Sequence, residues 1–281
     1  MPAPFILSRF YKAMLASTLF ALCACAGGSG SGGAPVLPSD LATPSGGAAA
    51  PVGLAAPSAP TYELQASGLT QSGGGPGVGP RQGSLTRVAQ DLFVFTTPAG
   101  TVELAYDAGE DAFLGTRDLV DVEMRVFSPT PAHHALIQIS ESSPAFASHT
   151  VAVLGDETGA PLVAEQVGIA AYSGPSILLA AAADGSTARE MGTFTLLTNF
   201  NTGAVTGTVF AGGGVTLSLT DGEIAGGGVT GNLASVQVDG LTGSAEGVFY
   251  GPNADGIGGT FQGAGEVGGQ PVSLGGAFAS Q

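Results

Sequence analysis

The chain has 281 residues, 47 of them glycine and 18 proline, and a formal net charge of −15 from 22 acidic against seven basic side chains. A body this acidic repels the phosphate backbone and anionic lipid head groups, which excludes DNA and RNA as partners. Glycine at this level without a collagen triplet goes with many short strands joined by tight turns.

The N-terminus reads as an export signal. Arg9 and Lys12 form a short basic region, and residues 13–23 are small and apolar, too short a run to span a bilayer. The run ends in Leu22-Cys23-Ala24-Cys25. A lipoprotein signal peptidase needs Leu or a similar residue at −3 and a small residue at −1. Cys25 has Leu22 and Ala24 in those places, whereas Cys23 has bulky Leu22 at −1. Residues 1–24 are thus expected to be a lipoprotein signal peptide and Cys25 the lipidated residue, with a plain secretory signal as the alternative. A disulfide is disfavoured, because one residue separates the two cysteines and the chain has no other. Ala26 stands where Asp would favour inner-membrane retention, which implies the outer membrane. Several acyl chains together give stable anchoring. Residues 25–60 are almost all Gly, Ala, Ser and Pro, too poor in large apolar side chains to offset the entropy of ordering, and are expected to form a disordered tether. Loss of residues 1–24 would leave five Arg, no Lys and all 22 acids, a net charge of 5 − 22 = −17.

Residues 61–164 are expected to be β-rich. Residues 102–106 and 120–126 alternate apolar with polar, the mark of a strand with one wet face. Shorter candidates lie at 92–95 and 135–139, and strands at 151–154 and 161–163 are expected to bracket the turn Gly155-Asp-Glu-Thr-Gly159. Together they predict a small antiparallel sheet over 85–160. Residues 177–183 suit helix or strand, and strand is preferred.

From residue 165 the rhythm becomes regular. Strand-like segments fall at 167–172, 176–181, 192–198, 204–210, 215–220, 223–233, 241–250, 258–265 and 272–278. Turn cues separate most of them: Asn201-Thr-Gly203, Gly212-Gly-Gly214, Asp221-Gly222, Asp239-Gly240, Gly251-Pro-Asn253 and Gly268-Gly269. The spacing predicts an all-β fold, a small eight-stranded antiparallel barrel over 165–281. Its interior is expected to hold Phe194, Leu196, Val209, Leu217, Leu219, Val248, Tyr250, Phe261 and Phe278. A membrane-spanning barrel would need longer strands and aromatic girdles; this chain has no Trp and is 7% aromatic.

Three segments carry a family resemblance. Val167-Gly-Ile-Ala-Ala-Tyr-Ser-Gly174 and Glu223-Ile-Ala-Gly-Gly-Gly-Val-Thr-Gly231 are similar to barrel strands of the surface lipoproteins typified by transferrin-binding protein B. The stretch from Gly247 to Phe261, an aromatic strand, Gly-Pro-Asn-Ala and then Gly-Gly-Thr-Phe, resembles that family's most characteristic element. The resemblance covers 165–281. It implies a β-rich handle before the barrel, over 61–164, and a cell-surface location. It also implies a host or carrier protein as ligand and an outer-membrane receptor as partner. The best-known member has two lobes and this chain has room for one, with no motif matching that member's host-binding loops. The fold therefore carries over further than transferrin binding.

Other candidate chemistry is thin. Gly263-Ala-Gly-Glu-Val-Gly268 matches a nucleotide-binding glycine pattern, but no room follows it for a helix and a second strand. It reads as a glycine-rich strand and turn. His133 and His134 are adjacent and would point to opposite faces of a strand; they read as a surface loop or strand end, haem or metal ligation being the alternative, and His149 lies further along. Asp107, Glu110, Asp111, Asp118 and Asp121 read as a solvated loop, a weak Ca²⁺ site being the alternative. Ser142, Ser143 and Ser148 lack a nucleophile elbow. No catalytic, cofactor-binding or metal-binding residue is nominated. The chain is expected to be a non-enzymatic, outer-membrane-anchored binding lipoprotein, with a structural or accessory envelope role as the alternative.

Overall fold

Apolar and polar residues alternate through most of the chain, and the computed structural model turns that pattern into two curled antiparallel sheets. It describes residues 61–72, 75–89, 91–127 and 134–280; the signal, Cys25, the tether and His133 lie outside these. The first sheet contains β1 (Thr61–Glu63), β2 (Gln65–Ser72), β3 (Gly75–Arg81), β4 (Ser84–Ala89), β5 (Leu92–Thr97), β6 (Gly100–Asp107), β7 (Ala112–Arg117), β8 (Val120–Val126), β9 (His134–Ser143) and β10 (Phe146–Gly155). Its order is β1-β4-β5-β6-β7-β8-β9-β10-β2-β3. The stretch 61–72 bends across the mouth of the curl: Thr61–Glu63 pair with β4, and from Gln65 onward the chain pairs with β10. The sheet thereby comes close to closing on itself. Its concave face packs Leu85, Phe93, Leu104, Phe113 and Met124, with Phe93 and Phe113 edge-to-face at 5.0 Å.

This handle-like sheet is larger than the sequence suggests, because β1–β4 and β7 are not announced by apolar alternation. The expected strand over 161–163 is instead a one-turn helix, α1 (Ala160–Ala164). Pro161 occupies its first turn, where a missing N–H costs nothing, and Leu162 and Val163 donate to the Gly159 carbonyl at 2.9 and 3.1 Å.

The second sheet is a closed barrel of β11 (Ile169–Ala182), β12 (Thr187–Asn199), β13 (Ala204–Gly212), β14 (Val215–Ala225), β15 (Gly228–Ala234), β16 (Asp239–Tyr250), β17 (Gly256–Val267) and β18 (Gln270–Ala279). Eight strands leave an interior that side chains can fill. Phe194, Leu196, Val209, Leu217, Leu219, Phe261 and Phe278 fill it as expected, with Phe210 and Phe249 beside them. Each such side chain contributes about 1.5–3 kcal/mol by leaving water. Val248 and Tyr250 do not belong to this core. Phe249 points inward, so its neighbours on β16 point outward and pack under the handle-like sheet.

Three sequence cues change meaning. The segments 167–172 and 176–181 are one strand, β11, running through Pro175. Pro175 opposes Thr193 on β12 but lies one residue before pairing with β18 begins at Ser176, where a proline interrupts no second ladder. Asp221-Gly222 and Asp239-Gly240 are not hairpin turns but irregularities inside β14 and β16, where the register shifts. Asp221 has φ 51° and Gly240 φ 59°, the left-handed geometry that a bulge and a tight turn share. The turn between β14 and β15 sits at Gly226-Gly227, so the predicted strand 223–233 is divided.

Candidate binding surface

The two ends of the barrel differ. One is sealed. Val163 of α1 joins the barrel core, and the Tyr172 hydroxyl donates to the Ala254 carbonyl at 2.7 Å across the opening. Burial, then the Asp255 carboxylate, raises the Tyr172 hydroxyl to about 12, so it stays a donor at any physiological pH. The Gly-Pro-Asn-Ala turn sits at this end, with Gly251 at φ 84° and Ala254 at φ 55°. The segment leaving the first sheet ties it down: Gly251 N–H donates to Asp156 O at 3.1 Å, Thr158 N–H donates to Phe249 O at 2.7 Å, and the Thr158 hydroxyl donates to Gly251 O. The turn most diagnostic in sequence is therefore architectural.

The other end is a rim of four turns: 183–186, 213–214, 235–238 and 268–269. Asp184 accepts from the Ser186 hydroxyl and backbone N–H, which fixes the first turn and holds its carboxyl below the ordinary value. In the third turn Val238 is buried in the core while Val236 is 88% exposed. The β9–β10 hairpin tip stands beside this rim, with Ser143 Oγ accepting from the N–H groups of Ala145 and Phe146. A cleft lined by Gln71, Pro76, Ser142, Phe146, Ala147 and Gly185 separates tip from rim. The Gln71 side-chain amide donates to the Thr187 hydroxyl from one sheet to the other. Further along, His149 Nδ1 lies 3.0 Å from Ser140 Oγ. Burial first, and then Arg189 on β12, lowers its pKa, while Glu123 on β8 acts against them.

Behind the cleft the sheets meet across an apolar layer that includes Leu69, Leu136, Val153, Ile177, Leu179 and Ala277. Outward-facing glycines allow the approach. A Cβ on Gly275 would overlap Ser67 and lie 2.6 Å from Val78, and one on Gly258 would lie 2.7 Å from Val153. His134 is part of this layer: its ring stacks on Tyr250 at 4.7 Å and its Nε2 lies 3.1 Å from Ser280 Oγ. It opens β9, a strand end as the sequence suggests, but at 4% exposed it is buried and not on the surface.

The remaining sequence candidates resolve as structure. Asp107 accepts from the N–H groups of Gly109 and Glu110, Asp111 from the Tyr106 hydroxyl, and Asp121 from Thr116, so these carboxylates brace turns. Among the described residues no group of three or more His, Cys, Asp or Glu is placed to hold a metal. Ser148 is buried and Ser143 shapes the hairpin tip. The Gly263–Gly268 run is the end of β17 and its turn. The cleft and its Gln71–Thr187 link were not foreseen; outward glycines in the barrel strands were the only available sign.

Residues 165–281 match the family described as the C-lobe and N-lobe β-barrels of Tf-binding protein B. The match takes in the barrel and none of the first sheet. No curated protein matches the sequence. Among solved structures, a point mutant of transferrin-binding protein B from Haemophilus parasuis Hp5 superposes with a TM-score of 0.53 at 16% identity, covering 78% of this chain and 45% of its own. The intact Ap-TbpB, with N and C lobes, gives 0.50 at 13% identity, covering 77% and 46%. At these identities the likeness is one of fold. The chain spans less than half the length of the transferrin-binding protein B structures it matches, and the matched portion takes in the handle-like sheet as well as the barrel.

Proposed function

We propose that this protein is a non-enzymatic outer-membrane lipoprotein that binds a carrier protein at the cell surface. Residues 1–24 serve as the signal peptide, Cys25 carries the acyl chains, and residues 25–60 tether a single lobe made of the handle-like sheet (61–164) and the barrel (165–281). The observation that carries the reading is the asymmetry of the barrel. One end is closed by α1 and the Gly-Pro-Asn-Ala turn, while the other presents four turns and the 143–146 hairpin tip around a cleft. Loops on a rigid scaffold are where recognition concentrates. The likeness to transferrin-binding protein B makes transferrin the first ligand to test, with other host carrier proteins next.

Protease shaving of intact cells, with recovery of cell-bound carrier, tests the reading. Shaving should remove the lobe, and labelled carrier should bind cells bearing it. Val236→Asp combined with Phe146→Asp should lower that binding at least tenfold. A lobe shielded from protease would instead support a structural envelope role, and a Cys25→Ala chain that still fractionates with the outer membrane would remove the anchor.

A further inference from the structure

One side of the barrel differs from the rest of the surface in both charge and polarity. Val167 is 81% exposed, Ile169 64%, Met191 48% and Leu197 47%, four of the eight large hydrophobic side chains that stand exposed among the described residues. Ala171 opposes Leu197 in the β11–β12 ladder and Ile169 opposes Asn199, so Ile169 and Leu197 are diagonal neighbours on one face. The outward row next to them runs Ser173, Thr195, Thr208 and Ser218 across four strands. No outward position at 169–173, 193–197 or 206–208 is charged. Residues 165–281 otherwise carry nine acidic side chains against the single cation Arg189, or 1 − 9 = −8.

The face is also the continuation of an interface. The same side of β11 holds Ile177, Leu179 and Ala181 under the handle-like sheet. The bare residues at 167–173 extend that stripe toward the sealed end, where none of the described residues covers Val167, Ile169 or Ala171.

We infer that a second copy of this chain covers this face, two barrels meeting β11–β12 against β11–β12 about a two-fold axis. The charge pattern selects this occupant. A basic partner gains nothing from a neutral face and is drawn to the acidic remainder of the barrel. Two copies of a body this acidic repel one another wherever carboxylates meet, so the uncharged apolar stripe is where like can approach like. A two-fold contact uses the same patch twice, and this patch is self-complementary in both charge and polarity. The stripe lies on the barrel wall, away from the rim, so pairing leaves the proposed carrier-binding end free.

The test is crosslinking of the full chain in its own cells with a membrane-permeant bis-maleimide, which reaches the protein on either face of the outer membrane. Failure here therefore leaves the surface-display reading untouched. Thr195→Cys sits at the centre of the face and should give a covalent dimer. Thr242→Cys, exposed on β16 across the barrel, should give at least tenfold less. Adding Ile169→Glu and Leu197→Glu to the Thr195→Cys chain should lower its dimer to the Thr242→Cys level, because both side chains are surface residues and the lobe keeps its core. Equal crosslinking at 195 and 242, dimer that survives the two glutamates, or a product at 195 containing a different protein would each overturn the inference.

Discussion

The barrel and the handle-like sheet manage their edges in opposite ways. In the barrel every strand is paired on both sides, because β18 returns to β11. In the other sheet closure stops short: β1 contributes three residues, and β3 ends the sheet with Pro76 and Pro80 in its strand, residues that cannot extend a ladder. The barrel can therefore hold its shape from within, while the open sheet borrows part of its order from the barrel wall it lies on. Seated there, Leu69, Leu136 and Val153 lose water only because Ile177, Leu179 and Ala277 are opposite them.

Four changes probe that dependence, in descending order of expected effect. Phe261→Ala empties a ring position in the barrel core and should cost about 3–5 kcal/mol in urea unfolding. The open sheet should unfold in the same transition, and a separate second transition would show that it stands alone. Gly275→Val drives a side chain into Ser67 and Val78 and should cost about 1–3 kcal/mol. Its signature is faster amide exchange in β2 and β3, with the barrel strands protected as before; uniform loss of protection would count against a local seam. Tyr172→Phe deletes the donor to the Ala254 carbonyl at the sealed end and should cost about 1–2 kcal/mol by thermal unfolding. The smallest effect is a pH dependence at His149. Its folded-state pKa lies below the ordinary 6.5, so the unfolded chain takes up the proton more readily. Stability at the seam is then full above pH 6.5 and falls as the pH drops through and below that value. His149→Gln should flatten this part of the pH–stability curve, and an unchanged slope would assign the dependence to carboxylates elsewhere.

The regularity of the barrel is also what made it legible. Paired glycines at 213–214 and 268–269 mark real turns, and inward apolar residues recur two apart, as at Phe194 and Leu196 or Leu217 and Leu219. The errors there are local ambiguities: a tight turn and a bulge ask for the same positive φ, so Asp221 in the middle of β14 and Gly240 at the start of β16 both carry a turn signature. On β16 three consecutive large residues, Val248, Phe249 and Tyr250, all lose water, Phe249 to the barrel core, Tyr250 fully and Val248 partly to the neighbouring sheet, so hydrophobicity alone could not say which faced inward. The open sheet was harder to read because β2 and β3 are rich in Gly, Ser and Pro and owe their strand geometry to what they lie against. The cleft was least visible of all. Gln71 and Thr187 are 116 residues apart, and nothing local to either marks the other.

Ser176 pairs with Phe278, so the ring closes through partners 102 positions apart. Assembly must wait for its final ribbon: a chain shortened by β18 would expose the flanks of β11 and β17 together, leaving two sticky margins instead of none. A late frameshift in this gene should yield an aggregation-prone product rather than a slightly weaker one.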